Sequence, residues 1–161
     1  MQDLEGSYRQ HAPAVFRDAW GLSGDRTEAE DLVSETFVRL LTRAPKLETQ
    51  TALAYLLAIT RNAFLNGRRR RRPQVAVPDD LPAPGRDGAV ASEERDRLAH
   101  VLADLAELPE GERSALLLRA DHELSYEEIA VVLGITVGAA RVRVHRARLR
   151  LLERDHQGGR R

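Results

Sequence analysis

Residues 124–152 constrain this chain more than any other stretch. They read LSYEEIAVVLGITVGAARVRVHRARLRLL. Ser125 can cap a helix, and Glu128, three residues on, completes a capping box. Ile129, Ala130 and Leu133 then share one face, with Ala130 small enough for a neighbouring helix to approach closely. Gly134 can take the left-handed conformation that stops a helix, and Thr136 can cap the next one. From there the pattern turns basic. At about 100° per residue, Val137, Ala140, Val144, Ala147 and Leu151 fall on one side. Arg141, His145 and Arg148 flank that stripe on one edge, while Arg143, Arg146 and Arg150 lie further round on the other. A short apolar helix, a tight turn and a basic helix make a helix-turn-helix whose second helix can lie in a DNA groove. The stripe would hold that helix to its domain while arginines reach phosphates or guanine edges. An ordinary surface helix with a solvated charged face, or one arm of a helical dimer, gives the same pattern, so this stretch alone leaves the role open.

Charge is arranged, not scarce. The 161 residues carry 25 basic and 25 acidic side chains, a formal net charge of zero. Residues 67–72 hold five arginines and no acid, residues 134–161 have a net charge of +6, and residues 99–133 have a net charge of −6. Such a chain can lay basic faces on a polyanion and keep acidic faces for another partner. Neutrality overall argues against tight binding to bare DNA by electrostatics alone and leaves room for a protein partner that supplies affinity. With no cysteine, disulfides and thiolate metal sites are excluded, and a reducing compartment is compatible. No apolar run approaches about 18 residues, so no membrane span is expected. The first ten residues lack the regions of a secretion signal, which points to a cytoplasmic protein.

The remaining segments read as helices. Residues 4–20 carry Tyr8, Ala12, Val15 and Phe16, with Pro13 marking a kink or a fresh helix start. Asp25 and Glu28 can cap the next helix, residues 27–45, whose apolar face is Ala29, Leu32, Val33, Phe37, Leu40 and Leu41. Glu28, Asp31, Glu35 and Arg39 form a polar face beside it; spacing alone does not distinguish this from solvated charge. A third helix, residues 52–67, buries Leu53, Leu56, Leu57, Ile59, Ala63 and Phe64 and runs into five arginines, which suit a helix C-terminus or a phosphate backbone. Residues 73–91 contain four prolines and two glycines and read as a flexible linker. Past it, Ser92 is a possible N-cap. Leu98, Val101, Leu102, Leu105 and Leu108 form a stripe that Pro109 ends, and residues 110–120 make a further helix with Leu116, Leu117 and Leu118. The expected fold is all-α. Two small helical domains, residues 1–72 and 92–153, are joined by the linker 73–91, and the second contains the helix-turn-helix. Residues 154–161 are expected to be a disordered tail. Each domain is small enough to be only marginally stable alone.

Four stretches in order carry a family resemblance: YRQHAPAVFRDAW (residues 8–20), EAEDLVSETFVRLL (28–41), AYLLAITRNAFLNGRRR (54–70), and the pair LAELPEGERSALLLR (105–119) and LSYEEIAVVLGITVGAARVRVHRAR (124–148). Together they resemble a bacterial RNA polymerase sigma factor of the extracytoplasmic-function class, within the sigma-70 superfamily. The last stretch also resembles other helix-turn-helix regulators; the acidic helix followed by the helix bearing Ile59 and Asn62 is more specific. The resemblance implies that Asp31, Glu35, Thr36 and Arg39 dock on the polymerase clamp helices. It implies that Tyr55, Arg61, Asn62, Asn66, Arg68 and Arg69 meet the −10 element. It also implies that Thr136, Arg141, Arg143, His145 and Arg146 read the −35 element, and that an anti-sigma factor is a partner. Tyr55 stands where the family usually has tryptophan, and residues 46–51 hold no aromatic. An aromatic platform is worth roughly 1–3 kcal/mol per base, so melting is expected to be weaker or to lean on hydrogen bonds and arginines. The chain is expected to be a minimal two-domain member.

The predicted role is a promoter-specificity subunit that binds core RNA polymerase and promoter DNA, with no cofactor, no metal and no catalysis. Its five histidines are dispersed without paired metal spacing, and no phosphate-binding or dinucleotide fingerprint is present. A stand-alone helix-turn-helix regulator with a helical oligomerisation domain is the alternative, and an adaptor that binds only acidic proteins is a third reading.

Overall fold

The computed structural model describes residues 4–42, 46, 48–70 and 89–158. Seven helices follow one another among them: α1 (Leu4–Ser23), α2 (Arg26–Thr42), α3 (Ala52–Arg70), α4 (Ala89–Glu107), α5 (Glu110–Ala120), α6 (Tyr126–Leu133) and α7 (Val137–Gly158). No strand occurs among the described residues, so the all-α expectation holds.

Local chemistry sets most boundaries. Gly24, at φ +71°, turns the chain after α1, and Asp25 Oδ1 then accepts from the Thr27 amide at 2.8 Å to start α2. Thr51 Oγ1 accepts from the Ala54 amide at 3.1 Å and starts α3. Pro13 does not restart the helix: α1 runs through it without a break. Pro13 and Arg9, whose carbonyl the proline leaves without its helical donor, are both exposed, so water can serve that carbonyl. The second group of helices begins at Ala89, ahead of the expected cap Ser92. Pro109 sits outside α4 and serves as the residue before α5. Residues 71–88, most of the expected linker, lie outside the described residues; 89–91 are helical. The expected tail is also shortened, because α7 continues to Gly158 and Arg154 Nε reaches Asp104 Oδ1 of α4 at 3.0 Å.

Helices α1–α3 form one bundle around Ala19, Leu22, Ala29, Leu32, Ala63 and Phe64, extended by Val15, Val33, Phe37 and Leu56. The pair Thr36 and Thr60 lies between α2 and α3 with hydroxyls 3.0 Å apart, each also placed to donate to the carbonyl four residues back. Helices α5–α7 form the other, around Ala115, Leu118, Ile129, Val132, Leu133, Ala140 and Val144. The two bundles pack on each other. Ala54, Leu57 and Ala58 of α3 belong to the same apolar cluster as Leu118, Leu124 and Val132, and Leu117 fills the notch left by Gly21, where a Cβ would come within 2.9 Å of it.

Polar contacts stitch that junction. Arg113 donates to the Leu22 carbonyl of α1 at 2.6 Å and to Leu105 and Leu108 carbonyls at 2.8 and 2.9 Å, a cation serving two helix ends. Burial first, then nearby Arg68, pull its pKa down, while Glu110 opposes them. His122 Nε2 lies 3.4 Å from Asp18 Oδ1. Burial raises the Asp18 carboxyl pKa despite His122 beside it. Arg17 reaches Asp121 at 3.4 Å across the same seam.

Only part of the expected α4 stripe is used. Leu105 and Leu108 are buried with Leu116 and Ala147, whereas Leu98 and Val101 are 39% and 54% exposed. The stripe has the right period, but only Leu105 and Leu108, at its C-terminal end, are buried.

Candidate nucleic-acid and polymerase interface

The helix-turn-helix forms as its residues dictate. Ser125 Oγ accepts from the Glu128 amide at 3.1 Å, Gly134 takes φ +66°, and Thr136 Oγ1 accepts from the Ala139 amide at 3.1 Å. The amides of Gly134 and Ile135 close back on Val131 and Ala130 carbonyls at 3.3 and 3.0 Å, completing the turn. Ala140, Val144 and Ala147 are fully buried, with Val137 and Leu151 half-buried beside them. The apolar seam of α7 is therefore the one its sequence pattern describes.

That anchoring distributes the five residues assigned to the −35 element. Thr136 is exposed, but its oxygen is engaged as the cap of α7. Arg141 lies with its guanidinium 5.3 Å from the centre of the Tyr126 ring, whose neighbour Arg119 lies at 4.5 Å, a cation–π arrangement that restrains both. Arg143 is half-buried and lies against Gly111, where a Cβ would come within 2.8 Å of its Nη1. His145 and Arg146 are exposed on the outward side. Arg150 pairs with Glu112 at 2.8 Å.

The six residues assigned to the −10 element divide between two faces of α3. Tyr55, Asn62, Asn66 and Arg69 recur at seven, four and three residues and share one face; Tyr55 is half-buried and the other three are exposed. Arg61 and Arg68 lie roughly a third of a turn away. Arg68 is exposed, its guanidinium 4.6 Å from the Phe64 ring centre. Arg61 faces the second bundle. Its Nε and Nη2 donate to Glu110 at 2.8 and 3.1 Å, and its side chain is only 13% exposed. Burial alone would raise Glu110, but hydrogen bonds from Arg61 and Ser114 outweigh it and hold the carboxyl below its ordinary range. Arg61 is thus paired as in a guanidinium–phosphate contact, with a carboxylate in the phosphate's place.

On α2, Asp31 and Glu35 are exposed, and Arg39 Nη2 pairs with Glu35 at 2.8 Å. Thr36 does not belong with them. It is fully buried, bonded to Leu32 and Thr60, because it falls on the same side as Leu32 and Val33. Leu41, expected in the apolar face, is 64% exposed, since it lies roughly a third of a turn from Leu40, which takes the seam position. Val38, at 56% exposure, joins Asp31 and Glu35 on the outward side. The open face of α2 therefore combines carboxylates with two uncovered apolar side chains. The signal was present in the period but obscured by the run Leu40–Leu41. Among the described residues, no group of three or more acidic or histidine side chains is placed to hold a metal ion, and no helix is long and apolar enough to cross a membrane.

Residues 7–74 match the family pattern of Sigma-70 region 2, and residues 101–151 that of Sigma-70, region 4. The chain is 38% identical over 156 residues to ECF RNA polymerase sigma factor SigE of Mycolicibacterium smegmatis; the match covers 94% of this chain and 61% of that protein. It is 35% identical to ECF RNA polymerase sigma factor EcfG of Rhodopseudomonas palustris, over 86% of this chain and 77% of that one. It is 30% identical to ECF RNA polymerase sigma factor SigM of Bacillus subtilis, over 92% of each. Among solved structures, sigma factor RpoE in complex with the anti-sigma factor NepR from Bartonella quintana aligns with a TM-score of 0.69 at 25% identity, covering 95% of this chain and 96% of that one. CnrH in complex with the cytosolic domain of CnrY aligns with a TM-score of 0.69 at 26% identity, covering 94% and 88%.

Proposed function

Because this chain belongs to the extracytoplasmic-function RNA polymerase sigma factors, we propose that it binds core RNA polymerase in the cytoplasm and directs it to promoters. The observation that carries this reading is the construction of α7: a seam buried at Ala140, Val144 and Ala147 opposite an exposed face bearing His145 and Arg146, with Arg141 on its flank. In this account α7 lies in the major groove of the −35 element. The exposed face of α3, with Tyr55, Asn62, Asn66 and Arg69, meets the −10 element. Asp31, Glu35, Val38 and Leu41 on α2 dock on the polymerase. Residues 1–72 and 92–153 act as the two promoter-reading units, joined through 73–91. An anti-sigma factor is a further partner, as NepR is for the RpoE sigma factor of Bartonella quintana.

Run-off transcription tests this. Core polymerase plus the full chain should give discrete starts on mapped promoters, and core alone should not. A chain that fails to bind core polymerase but forms a stable dimer on palindromic sites would replace this reading with that of a stand-alone regulator.

A further inference from the structure

We propose that Val142 reads the methyl group of a thymine in the −35 element. The proposal rests on α7 being a groove-bound helix and adds what the centre of that helix selects.

The seam of α7 runs along Val137, Ala140, Val144, Ala147 and Leu151. Half a turn round, the line furthest from the protein is Gly138, Val142 and Leu149. Val142 is 45% exposed, and a Cβ on Gly138 would meet nothing within 4 Å. His145 and Arg146 border this line, one on each side. Arg141 and Arg143 are drawn back towards the bundle by Tyr126 and Gly111. The most protruding strip of this arginine-rich helix is therefore apolar and low.

That arrangement separates two tasks. Guanidinium groups at the flanks suit the phosphate walls of a groove and position the helix without reading sequence. The central side chain meets the groove floor. A valine can neither donate nor accept a hydrogen bond there, so it needs an apolar feature on a base edge. The thymine C5-methyl is the one such group that the four bases show in the major groove. Val142 sits in the second turn of α7, near the N-terminal end that contacts base edges in this motif. Leu149 lies two turns further along, towards the end that leaves the groove.

The test uses holoenzyme reconstituted from core polymerase and the full chain. Bound duplexes are selected from a library randomised across the −35 window. A selected duplex is then remade with deoxyuridine replacing each thymine in turn, which deletes only the methyl group. At one position uracil should weaken wild-type binding about fourfold, the worth of one buried methyl-sized group. Val142→Ala should lose that discrimination and bind both duplexes as wild type binds the uracil form. Alanine at this exposed position favours the helix, so folding is not at risk. A selected element without thymine, no uracil penalty, or a penalty that Val142→Ala retains would each overturn the proposal. Failure to select any −35 sequence would instead overturn the groove reading beneath it.

Discussion

The two basic helices are held in opposite ways. α7 spends its apolar seam inside its own bundle and leaves its outward face uncovered. α3 is gripped on two sides: α1 and α2 take Leu56, Ala63 and Phe64, while the second bundle takes Ala54, Leu57 and Ala58. One arginine of α3 is consumed in that second contact, bidentate on Glu110. A count of arginines therefore overstates what α3 would offer to DNA in the proposed role. A guanidinium already matched to a carboxylate cannot take a phosphate until the carboxylate leaves. The same arginine type is available on α7 because its acidic neighbours sit at the helix edges, as with Glu112 on Arg150.

The largest effect is expected from Arg141→Ala with Arg146→Ala. Each lost base or phosphate contact is worth about 1–3 kcal/mol, so transcription from a −35-dependent promoter should fall about a hundredfold. Unchanged promoter use would remove α7 from the account. Next is Arg113→Ala, at the junction that covers α3. It strands the Leu22, Leu105 and Leu108 carbonyls and should cost about 2 kcal/mol in urea unfolding; a loss within error would mean that water replaces the guanidinium. Glu110→Gln separates the two helices more finely. Freed from its carboxylate, Arg61 should strengthen binding of the isolated chain to a single-stranded −10 oligonucleotide about fivefold, roughly 1 kcal/mol. Binding to a −35 duplex should not move, and an equal rise in both would erase the contrast.

The smallest effect concerns pH. Burial raises the Asp18 carboxyl above its ordinary 3.8. Its contribution therefore favours the folded state fully below 3.8 and is lost as pH rises through the raised value. Glu110, held below its ordinary 4.5, has the reverse sign: its contribution is full above 4.5 and lost as pH falls through the lowered value. Asp18→Asn should flatten the decline of Tm above pH 3.8 while leaving the acid limb due to Glu110. An unchanged Tm profile would mean that Asp18 does not titrate against folding.

What was legible in the sequence follows from how local its causes are. The cap at Ser125, the stop at Gly134 and the seam of α7 are set by residues within a few positions of each other, and all form as read. Period also located α2 and α3. It failed where the outcome depends on a distant partner. Thr36 is polar yet buried, because Thr60 on another helix supplies its contact. Leu98 and Val101 are 39% and 54% exposed, although they share the period of the buried Leu105 and Leu108. The pairing of Arg61 with Glu110 joins residues 49 apart in the chain and leaves no local trace. The −10 assignments, carried by resemblance to a family, did not distinguish the open face of α3 from the covered one.

In the proposed role, the two promoter-reading helices act together only when polymerase holds them. The deciding measurement is a titration of a fluorescent promoter duplex carrying both elements with the full chain, with and without core polymerase. Promoter-specific binding is expected with core polymerase, and weak, salt-sensitive binding with little sequence preference without it. Tight, promoter-specific binding by the isolated chain would contradict that role.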